Sequence, residues 1–197
     1  MMDVAILCGG IGTRLNLPGL PKPMADINGK PFLEILIDTI SIFGFSRFIL
    51  CAGYRADKIR RHFRDNSNVI VSIEPTALDT AGGFKYAEPF FHSKTILVFN
   101  GDSFCPIDLT EFVEAHTKSG SLVTMAVVKT DSKLHINAGI YAVEHSILDR
   151  IPKDKSVSFE KDVFTSLVGR ELNPYITTAK LSDIGTPESL DEFRKSI

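Results

Sequence analysis

Charge of one sign is what this chain lacks first: 22 lysines and arginines stand against 24 aspartates and glutamates, a formal net charge of −2 over 197 residues. With no overall basic field to hold a nucleic acid backbone, no nucleic acid partner is expected. Cysteine is scarce. Cys8, Cys51 and Cys105 form no Cys-x-x-Cys pair and the five histidines are scattered, so neither a disulfide framework nor a zinc site is supported. The three thiols read as buried strand-end residues in a reducing compartment. No apolar run approaches the roughly 18 residues that span a bilayer, and the N-terminus enters a strand almost at once, with no charged-then-apolar leader. A soluble, cytoplasmic protein with no membrane contact is expected. Repeats and low-complexity tracts are also missing. With 44% apolar residues, the chain reads as one domain over 1–197 that buries roughly 70% of its unfolded surface.

What is present begins with Ile6-Leu7-Cys8-Gly9-Gly10-Ile11-Gly12-Thr13-Arg14-Leu15, followed by Pro21-Lys22-Pro23-Met24. Val4 to Leu7 reads as a buried strand, and three glycines within four residues let the backbone take φ > 0 and approach a ligand closely. Such a loop can turn successive N–H groups toward anionic oxygens, with Arg14 as a bidentate fork and Lys22 as a point charge. A dinucleotide-binding loop fits poorly, because Leu15 stands where its third glycine belongs. A Walker A loop fails, because Gly29-Lys30 runs into Pro31. A plain glycine turn remains the bland alternative.

Beyond the loop, Phe32, Leu33, Leu36, Ile37, Ile40 and Phe43 recur at helical spacing until Gly44. Strands are expected at 47–52, 69–73, 95–99, 121–128 and 137–143, with helices near 56–63, 83–90 and 158–168 and a terminal helix after Thr186 and Pro187. Lys58, Arg60, Arg61, His62 and Arg64 read as a solvated helix face. This alternation predicts an α/β fold, a three-layer, Rossmann-like, mostly parallel sheet, with ligands bound beyond the carboxyl ends of its strands. Asn100-Gly101-Asp102 follows an apolar strand to that edge. It is either an ordinary turn or the place where Asp102 holds Mg²⁺ against a triphosphate. Asp183 lies just before the terminal helix, either as a helix-start acid or as a second carboxylate for the metal. Leu78 to Gly83 reads as a helix start, or as a loop whose Gly82 and Gly83 let a base and ribose lie against bare backbone.

Gly9-Gly10-Ile11-Gly12-Thr13-Arg14-Leu15 together with Pro21-Lys22-Pro23 resembles the signature of the sugar nucleotidyltransferases, the nucleotide-diphospho-sugar pyrophosphorylases. The likeness runs along nearly the whole chain. It includes Asp183-Ile184-Gly185-Thr186-Pro187, Asn137-Ala138-Gly139-Ile140-Tyr141, and Leu78-Asp79-Thr80-Ala81-Gly82, where Asp79 replaces the usual glycine. The resemblance implies the nucleotide-diphospho-sugar transferase fold, with a nucleotide-binding part over about 1–105 and a sugar-binding part over about 106–197. It implies a reaction in which a sugar 1-phosphate attacks the α-phosphorus of a nucleoside triphosphate, releasing pyrophosphate.

Residue by residue, it implies catalytic roles for Arg14, Lys22 and Asp102 and nucleotide contacts from Leu7, Gly9, Gly10, Gly12, Thr13, Gly82, Gly83 and Asn100. Asn137, Gly139 and Glu160 would contact the sugar, and Asp102 and Asp183 would bind Mg²⁺. The segments around Lys22, Lys30 and Asp102 are most similar to the manno-heptose 1-phosphate guanylyltransferase branch, which serves bacterial surface polysaccharides. Guanine needs acceptors for its N1–H and N2–H₂, and Glu74 is a candidate beside an equally plain salt-bridged surface role. The family's usual hairpin, whose lysine holds the sugar phosphate, is reduced here to 130–136. Either Lys129 or Lys133 takes its place or a loop is missing from the sequence, and the second is favoured. Other sugars and nucleotides, a silent nucleotide-sugar-binding subunit and, last, an NAD-dependent oxidoreductase are the alternatives. A homo-oligomer is compatible with all of them.

Overall fold

Alternation along the strands decides which face each side chain packs on. In β1 (Asp3–Cys8), Val4, Ile6 and Cys8 enter one core while Ala5 enters another. The helices divide in the same way. On the first face lie α1 (Phe32–Ser41), α2 (Ala56–His62), α4 (Leu109–Ser119) and α6 (Pro187–Ser196), which contribute Phe32, Ile59, Phe112 and Phe193. On the second lie α3 (Asp79–Tyr86), a π-helical stretch Phe159–Phe164 and the short α5 (Thr165–Leu167), contributing Phe84, Phe159 and Leu167. A sheet buried on both faces needs continuous apolar strands, and these sequences supply them. The computed structural model describes residues 2–15, 17–130 and 135–197. Lys133 lies outside the described residues.

The remaining strands are the hairpin β2 (Asp26–Ile27) and β3 (Lys30–Pro31), then β4 (Phe48–Ala52), β5 (Val69–Ile73), β6 (Thr95–Asn100), β7 (Ser103–Phe104), β8 (Val123–Lys129), β9 (His135–Glu144), β10 (Leu172–Thr177) and β11 (Ser182–Asp183). Six of these join β1 in the central sheet, in the order β10-β8-β9-β6-β1-β4-β5. Only β9 runs against the others. The chain winds outward from β1 through β4 and β5, then crosses back to β6 on the other side of β1. The reversal leaves a crevice beyond the ends of β1 and β6, where open α/β sheets bind ligands.

Several boundaries differ from the sequence reading. The third helix begins at Asp79, not at Gly83, because the Ala81 and Gly82 N–H groups donate to Val157 O at 2.9 and 3.1 Å and Val157 N–H donates to Leu78 O at 2.9 Å. This tertiary clamp outweighs the poor helix propensity of the paired glycines. The helix expected over 158–168 opens as π turns before one short α turn. The terminal helix starts as read, with Thr186 and Ser189 forming a reciprocal cap. No helix among the described residues is long and apolar enough to cross a membrane. All three cysteines are buried and free, and burial pushes their thiols up.

Candidate active site

The glycine loop leaves β1 and is tied at both flanks. Gly101 N–H donates to Leu7 O at 2.8 Å, and Tyr54 N–H donates to Gly9 O at 3.0 Å, so the ends of β6 and β4 brace it. Gly12 is required twice over: its φ is +66°, and a Cβ there would lie 2.8 Å from Lys22 Cβ. That closeness seats the Lys22–Met24 3₁₀ turn under the loop. The flanking Pro21 and Pro23 restrict this turn, and Lys22 is only 9% exposed. Its ammonium reaches Asp102 Oδ2 at 2.8 Å, and Asp102 keeps 41% of its side chain open to solvent. Thr13 and Arg14 are exposed on the rim.

Asp183 arrives through a pairing too short to carry a sequence pattern. Antiparallel β7 and β11 set Asp183 opposite Ser103, and Ile184 N–H donates to Asp102 O at 3.1 Å. Asp183 Oδ1 accepts from Gly185 N–H at 2.6 Å. A Cβ on Gly185 would lie 3.3 Å from Lys22 Nζ and 3.5 Å from Arg14 Nη2, so bare backbone separates the two cations from Asp183. Gly185 is a residue the sequence reading quoted in a motif without assigning it a task. Leu7, Gly10, Gly12, Thr13, Arg14, Lys22, Asp102 and Gly185 thus line one end of a cleft. Among the described residues no group of three or more metal-ligating side chains is present. Asp102 and Asp183 are two hard oxygen donors at the end of the cleft that Lys22 and Gly185 line, a set that suits Mg²⁺, which completes its shell with phosphate oxygens and water.

The cleft continues past Leu7, Gly10 and Asp102 to Gly9, Glu74, Asp79, Thr80, Gly83 and Asn100. Among the described residues Glu74 makes no salt bridge. It is half-buried against the backbone of Gly9 and Gly53, and its Oε2 accepts from Leu78 N–H at 3.3 Å. Burial raises its carboxyl above the ordinary range; the Leu78 N–H opposes this and the nearby Asp79 charge adds to it. Gly83 borders the cleft, but Gly82 lies inside α3 against the Lys155 carbonyl, where its missing side chain serves packing.

A third cluster closes the far side. β9 uses four steps, Asn137 to Tyr141, where β8 uses two, Val127 to Met125, and Gly139 takes φ +73° in the resulting bulge. A Cβ there would lie 3.0 Å from Asn100. Asn137 Nδ2 donates to the Tyr141 hydroxyl at 2.7 Å, and that hydroxyl donates to Glu160 Oε1 at 3.4 Å. Thr80 Oγ1 and Ser158 Oγ donate to Glu160 Oε2 at 3.2 and 3.1 Å. Asn137, Gly139 and Glu160 are therefore gathered in one place. Burial pushes the Tyr141 phenol up, with the Glu160 charge adding to it. The sequence offers Thr80 and Ser158 only as helix-start residues and gives Tyr141 no task, although Tyr141 sits in the same short motif as Asn137 and Gly139. Asn100 Oδ1 is buried with no hydrogen-bond partner among the described residues, which leaves an acceptor open where the network meets the cleft. Lys129 is exposed at the end of β8.

A family model described as nucleotidyl transferase matches residues 4–135. The chain belongs to the nucleotidyl transferase family. It is 31% identical to the mannose-1-phosphate guanylyltransferase of Mycobacterium tuberculosis, across 95% of this chain but 62% of that protein's length. It is 29% identical to the D-glycero-alpha-D-manno-heptose 1-phosphate guanylyltransferase of Aneurinibacillus thermoaerophilus, across 99% of this chain and 96% of that one. The 225 aligned positions exceed the 197 residues of this transferase, so that relative carries extra residues within the aligned span. Among solved structures, HddC from Yersinia pseudotuberculosis complexed with GMP-PN superposes with a TM-score of 0.85 and 31% identity, covering 100% of this chain and 99% of that one.

Proposed function

We propose that this nucleotidyl transferase condenses GTP with a manno-heptose 1-phosphate, giving a nucleotide sugar and pyrophosphate for surface-polysaccharide synthesis. The observation that carries the reaction is the phosphate end of the cleft, where Lys22 meets Asp102 at 2.8 Å beneath a glycine loop rimmed by Arg14. Both reactants are anionic, so the protein's task is to screen their repulsion and hold an in-line approach. Arg14 binds the departing pyrophosphate and Lys22 the α-phosphate, while Leu7, Gly9, Gly10, Gly12 and Thr13 offer backbone to the phosphates and ribose. Asp102 and Asp183 would hold Mg²⁺, which neutralises charge on the phosphates. No general base is needed, since the attacking phosphate oxygen is already ionised.

The guanylyl assignment rests on Glu74. Among the common bases, guanine alone carries two adjacent N–H donors on its pairing edge, and an ionised carboxylate is acceptor-only and bidentate. Gly83 and Asn100 border the same space. The likeness to two guanylyltransferases and to a structure solved with GMP-PN supports this choice. Asn137, Gly139 and Glu160 offer the amide, backbone and carboxylate groups that pair with sugar hydroxyls. The test is pyrophosphate release with Mg²⁺ from GTP, CTP, UTP, dTTP or ATP against manno-heptose, mannose and glucose 1-phosphates. Release with GTP and the heptose phosphate is expected. Release only with another pair overturns the substrate assignment, and no release from any pair, in folded protein, overturns the activity.

A further inference from the structure

Asp79 holds a φ of +61°, a conformation that few side chains adopt and that glycine adopts at no steric cost. The chain nevertheless places a carboxylate here, where the similar family motif has glycine. The residue is exposed and lines the nucleotide end of the cleft with Glu74, Thr80 and Gly83. Its Oδ1 accepts from Thr80 N–H at 2.7 Å, which steadies the side chain at the start of α3. Glu74 stands on the same wall, anchored through Leu78 N–H. The Asp79 charge adds to the burial that already raises the Glu74 carboxyl. Two like charges therefore face one cavity, an arrangement with a folding cost and no ion pair to offset it on either residue among the described ones. Helix capping does not call for it, because Leu78 holds the N-cap position of α3 and no side chain caps that end, and asparagine tolerates the same backbone.

We infer that Asp79 is a specificity-determining residue of the nucleotide cleft, which with Glu74 presents acceptors to the N1–H and N2–H₂ edge of guanine. The inference rests on the guanylyl reading and deepens it. Adenine and cytosine offer one amine beside an acceptor, and uracil and thymine one N–H between two carbonyls, so a wall of two carboxylates repels part of each of those edges. The exocyclic amine is the group a second acceptor serves. Hypoxanthine, which lacks that amine and is otherwise guanine, is the probe.

The experiment compares kcat/KM for GTP and ITP in the wild type, Asp79→Asn and Asp79→Gly. Asp79→Asn keeps a side-chain oxygen for Thr80 N–H and tolerates the backbone while losing the charge. Asp79→Gly keeps the backbone at lower strain and loses the side chain. The wild type is expected to prefer GTP over ITP by about a hundredfold, and both variants to lower that ratio by about tenfold, chiefly through a higher KM for GTP. Both should unfold within about 3 °C of wild type, which separates recognition from folding. An unchanged ratio in both variants of an enzyme that uses GTP overturns this inference alone. A wild type that turns over a different nucleotide and not GTP overturns the guanylyl reading and this inference with it.

Discussion

The two ends of the cleft solve opposite problems. At the phosphate end, Gly9 to Arg14 and Lys22 come from one short stretch, and Arg14 and Thr13 stay in water. At the proposed sugar end, Asn137, Tyr141, Glu160, Thr80 and Ser158 come from three distant segments, and Tyr141 is wholly buried. Arg14, proposed to meet an anionic substrate, stays in water until it arrives and contributes little to the fold, whereas Lys22 is 9% exposed and held by Asp102. A buried polar network must satisfy itself first, because an unpaired member costs folding energy directly. Damage at the first end should therefore appear in turnover, and damage at the second in stability.

The largest effect expected is from Asp102→Asn or Lys22→Met. Either should lower kcat by about a thousandfold or more while Tm moves by no more than about 2 °C, as read by pyrophosphate release and thermal unfolding. Lys22 is 9% exposed, but Asp102→Asn keeps an amide oxygen to accept from its ammonium, and after Lys22→Met the remaining carboxylate is 41% open to water, so the folding cost of either substitution is limited. A variant that keeps most of its activity would remove Asp102 from the proposed metal site. A variant that unfolds would show the phosphate end to be structural after all.

Tyr141→Phe sharpens the contrast from the other side. Removing one hydroxyl takes an acceptor from Asn137 Nδ2 and a donor from Glu160, two half-buried side chains around the wholly buried Tyr141. We expect a loss of about 1–3 kcal/mol, or about 3–8 °C in Tm, with KM for the sugar phosphate up about tenfold and KM for the nucleotide unchanged. A change confined to the nucleotide KM would mean that the network serves the wrong substrate.

The same contrast explains what the sequence discloses. The glycine loop, the Pro-Lys-Pro turn and the alternation of β1, β4, β5 and β6 are local patterns, and each lies where its pattern indicates. The placement of Asp183 beside the Asp102-Ser103 segment depends on two-residue strands, which have no periodicity to read. Stretch 106–120 is left unassigned by the sequence reading, yet it holds α4, capped by the Asp108 side chain and closed by left-handed Gly120. Those signals were present and local. The start of α3 was not local, since Val157 fixes it from across the chain, and the misplacement of Gly82 follows from that one contact.

The smallest effect expected belongs to Glu74, which lies between the two ends. Its folded carboxyl is raised by burial first, with the Asp79 charge adding and the Leu78 N–H opposing. A raised folded value means that Glu74 favours folding while protonated: its contribution is complete below the unfolded value of about 4.5 and is lost as pH rises through the folded one. At neutral pH the ionised form carries a small penalty, which half-exposure and solvent screening limit. Glu74→Gln has no such titration. Its Tm should exceed wild type by about 1–2 °C at pH 7, and the gap should close as pH falls toward 4. The proposed recognition runs the other way, because an ionised carboxylate is the form that would accept from guanine. The wild-type KM for GTP should rise as pH falls through the raised Glu74 value, while the Glu74→Gln enzyme starts with a high KM and lacks that inflection. A gap in Tm that widens toward acid pH would reverse the sign of the shift and detach Glu74 from base recognition.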